Sequence, residues 1–140
     1  MPWDEWDVEA RVSHHVVHLS REQEESIWKQ ATTGLTTNET ISHHDAILAH
    51  IWSCIVRARN LQDVPGLVHC DLVYGVRPAL QLGPAFIGSP TLIINVGISG
   101  IDVAAGWKED LLQSIALRIR KTINQISQPT ALAAHLHTLA

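Results

Sequence analysis

Residues 41–61, ISHHDAILAHIWSCIVRARNL, carry the clearest structural signal in this sequence. Ser42 followed by Asp45 has the form of a helix N-cap, in which the serine oxygen accepts a backbone N–H of the first turn. Behind this cap, apolar residues recur at spacings of three and four, which predicts a helix ending near Arg59–Asn60. The predicted buried stripe of this helix consists of Ile47, Ile51, Cys54, Ile55 and Ala58, and Trp52 is also interpreted as a core residue.

The preceding residues predict a strand and another capped helix. Arg11–Leu19 (RVSHHVVHL) contains three valines and no glycine, which is typical of a strand. Ser20 with Gln23 three residues later forms a capping-box pattern. A helix is therefore expected over Arg21–Ala31, with Ile27, Trp28 and Ala31 buried, followed by a polar loop over Thr32–Thr40.

Two strands and a long helix are predicted beyond residue 61. Leu67–Arg77 reads as a strand, and Leu92–Ile98 is so apolar that we expect it inside a sheet. The connection between them has three prolines and two glycines, a composition frequent in functional loops. Trp107–Ile126 has the apolar periodicity of an amphipathic helix that ends before Pro129. A further helix is expected after that proline.

The predicted order is β-α-α-β-β-α(-α), which is an α/β class with few strands. The 140 residues suffice for one domain. Long helices normally cover larger sheets, so the sequence is expected to be part of a domain. Such a piece would expose sheet edges and apolar helix faces, which favours self-association and poor solubility.

Composition argues against several kinds of partner. The net charge is −4, and the basic residues are scattered, so no nucleic-acid partner is expected. The tightest basic group, Arg118, Arg120 and Lys121, is interpreted as a solvated helix face. No secretory signal or membrane-length apolar run is present, and two cysteines are too few for a disulfide framework. These features favour a cytoplasmic protein without a membrane partner.

The residues in and around 41–61 resemble the BAHD acyl-CoA-dependent acyltransferases, in particular the fungal branch that includes trichothecene 3-O-acetyltransferases. That family has a Ser-x-x-x-Ala-Leu-x-Ala-x-x-Trp helix ending in Arg-Ala-Arg, which is similar to the stretch from Ser42 to Arg59. HHVVHLSREQEESIWKQA resembles the strand and helix that precede it in the family. VYGVRPALQLGPAFIGSP and LLQSIALRIRKTI resemble the family's arginine strand with its loop and a later helix.

The resemblance implies a partial chloramphenicol-acetyltransferase-like domain. Residues 1–11 would be the remnant of the crossover linker, and residues 12–140 the N-terminal portion of the second domain. Acyl-CoA would be the co-substrate, with no other cofactor, and the acceptor would be a hydroxyl or amine of a small secondary metabolite. The missing domain would be a partner.

The motifs that carry the family's chemistry are absent from the sequence. Acyl transfer requires a base on the acceptor and a donor for the oxyanion. The family provides the base from His-x-x-x-Asp, but none of the nine histidines here has an aspartate four residues later. Asp-Phe-Gly-Trp-Gly is missing too. No catalytic residue is therefore assigned, and the chain alone is expected to be inactive.

Arg77 and Gly88 are the residues to which the resemblance assigns contact with the acyl donor. Arg77 matches the first arginine of the family's paired-arginine strand, and Gly88 matches its Gly-Asn step. Ala79 stands in place of the second arginine, and Ser89 in place of the asparagine. These departures change the residues from which the loop is built.

Two other hypotheses remain beside the acyltransferase fragment. One is a non-catalytic relic or interaction module without activity of its own. The other is a histidine-based metal site, for which His50 and Cys54 have the spacing of one helix face. A structural interpretation, a core cysteine beside a half-buried histidine, is favoured for that pair, so no metal ligand is assigned.

Overall fold

The computed structural model describes Asp7 and residues 9–138, so most of the predicted linker, residues 1–6 and 8, lies outside the described residues. The strands in this part of the chain are β1 (Leu67–Gly75) and β2 (Thr91–Ser99). The helices are α1 (Arg21–Thr32), α2 (His43–Ala58), α3 (Gly100–Ala104), α4 (Glu109–Ile126) and α5 (Pro129–Thr138). This mixture is consistent with an α/β class. The chloramphenicol-acetyltransferase-like arrangement and the division at residue 12 stay predictions.

Both predicted capping boxes are present, and they explain where α1 and α2 begin. The Ser20 hydroxyl accepts the Gln23 N–H at 3.3 Å, and the Gln23 side chain accepts the Ser20 N–H at 2.8 Å. Ser42 and Asp45 repeat this exchange at 3.2 and 2.8 Å. Each box satisfies N–H groups that have no partner inside the helix, so each fixes a helix start to one residue.

The prediction of which α2 face is buried is wrong. Ile51 and Ile55 of the expected stripe are 39% and 45% exposed. The face that packs against α1 and α4 lies on the other side of the helix. Its buried residues are Asp45, Ala46, Ala49, Trp52, Ser53 and Val56. Periodicity misidentified the face because α2 is apolar on both sides, and the side with the small alanines allows neighbouring helices to approach closely.

The main core lies between three helices and the inner face of the hairpin. Ile27 and Ala31 of α1 are buried as predicted, and Trp28 is half-buried. The Trp28 indole donates to the Ile41 carbonyl at 3.0 Å and stacks on His43. The largest fully buried side chains among the described residues, Leu112, Ile115 and Ile119, lie on α4. The buried side chains of this helix are Leu112, Ile115, Ala116 and Ile119.

β1 and β2 form a two-stranded antiparallel sheet in which Leu67 pairs with Ser99 and Gly75 with Thr91. The expectation that the second strand lies inside a sheet is wrong for the described residues, because β2 pairs only with β1. The strands bury alternate residues, as side chains of a strand point to opposite faces. One face meets the core, and the other leaves Val73 and Ile93 exposed.

The predicted strand over Arg11–Leu19 is also wrong. Residues 11–20 make no strand pairing, and Val12 is 85% exposed. Valine favours strands only where a neighbouring strand supplies hydrogen bonds and packing. No strand in the described range lies against this segment, so its strand propensity is not satisfied.

Close backbone packing positions the short helix α3, which the sequence did not predict. A Cβ placed on Gly100 would overlap the Leu61 carbonyl oxygen. Leu61 begins a 3-10 helix that ends at Asp63. A Cβ on Gly106, just after α3, would lie 2.8 Å from Ile115 Cδ1 and 2.9 Å from Ser53 Oγ. Glycine at these two positions lets the chain turn from the sheet to α4 against the core.

Candidate functional site

Arg77 lies at the start of the loop that joins β1 to β2, and its guanidinium holds that loop together. It donates to the carbonyl of Gly83 at 3.4 Å, of Phe86 at 3.3 Å and of Gly88 at 3.2 Å. It also lies 5.3 Å from the centre of the Phe86 ring, within the range of a cation–π contact. The loop therefore folds around one cation.

The structure brings the two sequence-predicted site residues, Arg77 and Gly88, into direct contact. The contact runs from the guanidinium to the Gly88 carbonyl, so the arginine binds its own backbone. A Cβ on Gly88 would lie 2.9 Å from Cε1 of Phe86, so a side chain there would displace the exposed ring. Ile87, between Phe86 and Gly88, is 98% exposed. The loop thus presents an apolar tip and backbone groups to solvent.

A second cationic feature, absent from the predictions, lies between α2 and α4. Arg120 donates from Nε to Asp45 Oδ2 at 2.8 Å, and its Nη2 lies 2.6 Å from the same oxygen. Nη2 also donates to the Ser42 hydroxyl at 2.9 Å. Asp45 is fully buried, and its other oxygen, Oδ1, has no hydrogen-bond partner among the described residues. The interpretation of Arg120 as part of a solvated face is therefore wrong.

A cleft of about 410 Å³ opens beside this ion pair. It lies between the loop that precedes α2 and the exposed side of α4. Its charged lining residues are Glu39, Arg120 and Lys121. Arg120 binds Asp45 and Ser42. Lys121 is the other cation in the lining of the cleft, and it is exposed to solvent.

An apolar groove of about 450 Å³ runs between α2 and β1. The exposed residues Ile51 and Ile55 form one wall, and Cys70 and Leu72 contribute to the other. This groove is the surface left by the α2 face that was predicted to be buried. Arg59 also lines this groove and contributes a positive charge to it.

Three polar side chains form a chain across the outer face of the sheet. The Nδ1–H of His69 donates to Asn95 Oδ1 at 2.8 Å. The amide nitrogen of Asn95 donates to Asp71 Oδ1 at 2.8 Å. Asp71 and Asn95 are direct cross-strand partners, which explains their contact. The arrangement orients the imidazole on an exposed surface.

The predicted His50–Cys54 pair is present on the outward side of α2. Cys54 Sγ lies 3.8 Å from His50 Nε2, and Arg57 Nη2 donates to the same sulfur at 3.3 Å. Burial lowers the pKa of His50 below its ordinary value of 6.5, and the positive charge of Arg57 lowers the pKa further. The interpretation of Cys54 as a core residue is wrong, since its side chain is only partly covered.

The second thiol, Cys70, has the opposite surroundings. Burial raises the pKa of Cys70 above its ordinary value of 9.0, and the adjacent Asp71 carboxylate raises the pKa further. Both cysteines are free. Across Asp7 and residues 9–138, no group of three or more histidine, cysteine, aspartate or glutamate side chains is arranged to hold a metal ion.

Sequence reasoning missed the Arg120–Asp45 pair although a signal for it was present. Arg120 follows Ala116 by four residues and is adjacent to Ile119, so it lies at the edge of the buried α4 stripe. An arginine at that edge can reach a buried cap residue of a neighbouring helix. The cross-strand chain at Asn95 had no such signal, because it depends on the strand register.

Comparison with known proteins found a similarity to an acyltransferase. The sequence is similar to acyltransferase AFT15-1 of Alternaria alternata, with 29% identity over 133 residues. The aligned region covers 93% of this chain and 24% of that protein, so the chain spans about a quarter of its relative's length. No family model matches the sequence. No helix among the described residues is both long and apolar enough to cross a membrane.

Proposed function

We propose that this chain is a fragment of a BAHD-type acyltransferase and forms the start of the second domain. The main observation in support of this proposal is the alignment of 93% of the chain with one quarter of an acyltransferase. The ordered family-like segments from residue 12 onward support the subtype. In this proposal, the complete enzyme transfers an acyl group from acyl-CoA to a hydroxyl or amine of a small secondary metabolite.

The loop held by Arg77 is the part of the chain that we assign to acyl-CoA. The guanidinium fixes the carbonyls of Gly83, Phe86 and Gly88 around itself, which gives the loop one shape before a ligand binds. A pre-shaped loop loses less conformational entropy on binding. Arg77 is a positioning residue in this proposal, and the backbone near Gly88 contacts the acyl donor.

The base must come from another part of the complete enzyme. Removing the acceptor proton requires a side chain within hydrogen-bond distance of the acceptor. The sequence has no His-x-x-x-Asp, and the loop at Arg77 contains no histidine. The chain therefore supplies part of a binding surface and no catalytic base.

The outward face of α2 is the surface that we assign to the rest of the enzyme. Ile51 and Ile55 are exposed on a helix whose other face is already in the core. A helix that is apolar on both sides is typical of a protein interior. Burial of this face against the missing part would remove the groove beside β1 from solvent. The free thiols Cys54 and Cys70 suit the reducing cytoplasm, where we place the protein.

The alternative function is a non-catalytic relic or interaction module. The absence of His-x-x-x-Asp favours this alternative for the chain by itself. The exposed apolar face of α2 would then bind a partner or a second copy of the chain. The two functions differ in whether the segment can still work inside a complete acyltransferase.

A segment exchange tests the proposal. The matching residues of acyltransferase AFT15-1 are replaced by this chain, and acyl transfer from labelled acetyl-CoA to a panel of small alcohols and amines is measured. We expect the exchanged enzyme to retain activity and the isolated chain to show none. A matched version carrying Arg77→Ala should bind acyl-CoA more weakly.

The other outcomes are equally decisive. Transfer by the isolated chain would contradict the assignment of the base to another region. A folded exchanged enzyme without activity, beside an active parent, would favour the interaction module.

A further inference from the structure

Cys54, His50 and Arg57 form a compact group on a flank of α2 that does not line the groove with Ile51 and Ile55, and on a different element from the loop held by Arg77. Residues three and four apart lie on the same side of a helix, so both neighbours reach one sulfur. The measured separations are 3.8 Å to His50 Nε2 and 3.3 Å to Arg57 Nη2. A nucleophilic atom, a proton acceptor and a cation therefore meet at one partly exposed point.

The three groups have complementary chemistry. The thiolate is the reactive form of cysteine, and a nearby arginine favours it. Burial and the Arg57 charge lower the pKa of His50, which favours its neutral ring over the charged one, and the neutral ring has a nitrogen that can accept a proton. Cys54 lies in the second-to-last turn of α2, where the negative helix end opposes a thiolate. The contact from Arg57 must favour the thiolate more than the helix end disfavours it. Replacing Arg57 measures how much this contact contributes.

Cys70 provides a comparison within the same chain. Its sulfur is half-buried in the groove beside β1, and the neighbouring Asp71 carries the charge that disfavours a thiolate. No hydrogen bond from a cation to Cys70 is present within the described residues. The two thiols thus differ in the sign of the charge beside them, which makes their relative reactivity measurable in one protein.

We propose that Cys54 is a nucleophilic thiol that exchanges with small disulfides bearing carboxylates, activated by His50 and Arg57. The thiol proton passes to His50 Nε2, and Sγ attacks one sulfur of the disulfide. The disulfide S–S bond breaks as the new bond to Cys54 forms, the other half of the reagent leaves as a thiolate, and the proton passes from His50 to solvent. Cys54 is oxidised to a mixed disulfide while the leaving half is reduced, so the reagent is the only oxidant needed. Arg57 also attracts the carboxylates of the incoming molecule.

The experiment uses the full chain with one cysteine at a time. The Cys70→Ser variant retains Cys54, and the Cys54→Ser variant retains Cys70. Each folded variant is mixed with dithiobis(nitrobenzoate), an aromatic disulfide with two carboxylates, and the release of the coloured thiolate is timed. We expect Cys54 to react at least about tenfold faster than Cys70, because Arg57 lies beside its sulfur and a carboxylate lies beside Cys70.

Substitutions beside Cys54 identify the cause. In the Cys70→Ser background, Arg57→Gln and His50→Gln should each slow the exchange several-fold. Arg59→Gln removes an exposed arginine just after the same helix that makes no hydrogen bond to the sulfur, and should leave the rate nearly unchanged. With a neutral dipyridyl disulfide, the effect of Arg57→Gln should be smaller.

Equal rates for the two thiols, or equal slowing by Arg57→Gln and Arg59→Gln, would overturn the proposal. Circular dichroism of each variant establishes that the helix is intact, so a change in rate is not mistaken for unfolding.

Discussion

Arg120 of α4 binds the fully buried Asp45 of α2 through two nitrogens that converge on one carboxylate oxygen. The same oxygen accepts the Ser42 N–H of the capping box at 2.8 Å. One atom therefore joins the start of α2 to the middle of α4. The pair therefore links the cap of α2 to its packing against α4. Loss of the arginine would leave a buried carboxylate without its counter-charge.

Arg120→Ala should lower the free energy of unfolding by about 3 kcal/mol, because removing one partner leaves an uncompensated buried charge. Lys121→Ala is the control, as Lys121 is exposed beside it. Chemical denaturation of the two variants measures the difference. Equal midpoints for both variants would show that the ion pair contributes nothing to stability.

Gly100→Ala should destabilise the fold by about 1–2 kcal/mol, as overpacking against fixed neighbours does. The added Cβ would overlap the Leu61 carbonyl oxygen, which is backbone and cannot rotate away. Gly75→Ala is the matched control, since nothing lies within 4 Å of a Cβ there. Thermal unfolding, followed by circular dichroism, should show a lower midpoint temperature for the Gly100 variant only.

His50 should make the fold less stable in acid. Its pKa is lowered in the folded chain, so between that value and the ordinary 6.5 the unfolded chain binds more protons. The free energy of unfolding therefore rises with pH through this window and falls as the pH drops below about 6.5. His50→Gln should reduce the loss of stability between about pH 7 and about pH 5, whereas His44→Gln, on an exposed side of α2, should not. Denaturation at both pH values measures this, and parallel losses in the two variants would contradict the assignment.

Arg77→Lys should loosen the loop between β1 and β2 while the global stability changes by less than about 0.5 kcal/mol. A lysine ammonium lacks the planar fork that reaches three carbonyls at once. Faster hydrogen exchange is expected at the Leu82 and Phe86 amides, which bond to carbonyls within the loop. Arg118→Lys, on the exposed side of α4, should leave these amides unchanged. Unaltered exchange in the Arg77 variant would mean that the backbone alone fixes the loop.

Replacing Ile51 and Ile55 by glutamate should reduce self-association of the isolated chain. Both side chains are exposed, so the charges cost little in folding and oppose the burial of this face against a second copy. Sedimentation of the original and the doubly substituted chain at equal concentration measures the effect. Self-association that is unaffected by the charges would place the contact elsewhere, for example at the free sheet edges.

Local signals in the sequence predicted the helix starts accurately. Ser20 and Ser42 begin α1 and α2 because capping depends on residues three apart along the chain. The long helix α4 begins at Glu109, two residues after the predicted Trp107, and ends at Ile126 as expected from the proline that follows. These features are encoded within a few residues and need no tertiary contact.

Features that depend on distant residues could not be predicted. Arg11–Leu19 has strand propensity, but a strand exists only when another strand pairs with it. The buried face of α2 depends on which of its two apolar sides meets α4. For the candidate site, the family resemblance named Arg77 and Gly88 as residues that contact the acyl donor, and the structure brings both into contact in the loop between β1 and β2. The sequence did not indicate that the arginine would bind the loop's own carbonyls. Contact of these residues with acyl-CoA stays a prediction.

The second apolar side of α2 has a consequence for how this sequence changes under selection. If the chain acts alone, polar replacements at Ile51 and Ile55 improve its solubility and should accumulate in its descendants. If a larger enzyme covers this side, the same replacements place polar groups in a protein interior, and selection should remove them. The residues at these two positions in diverged copies of the gene would therefore indicate whether this side of the helix is exposed or buried in the functional protein.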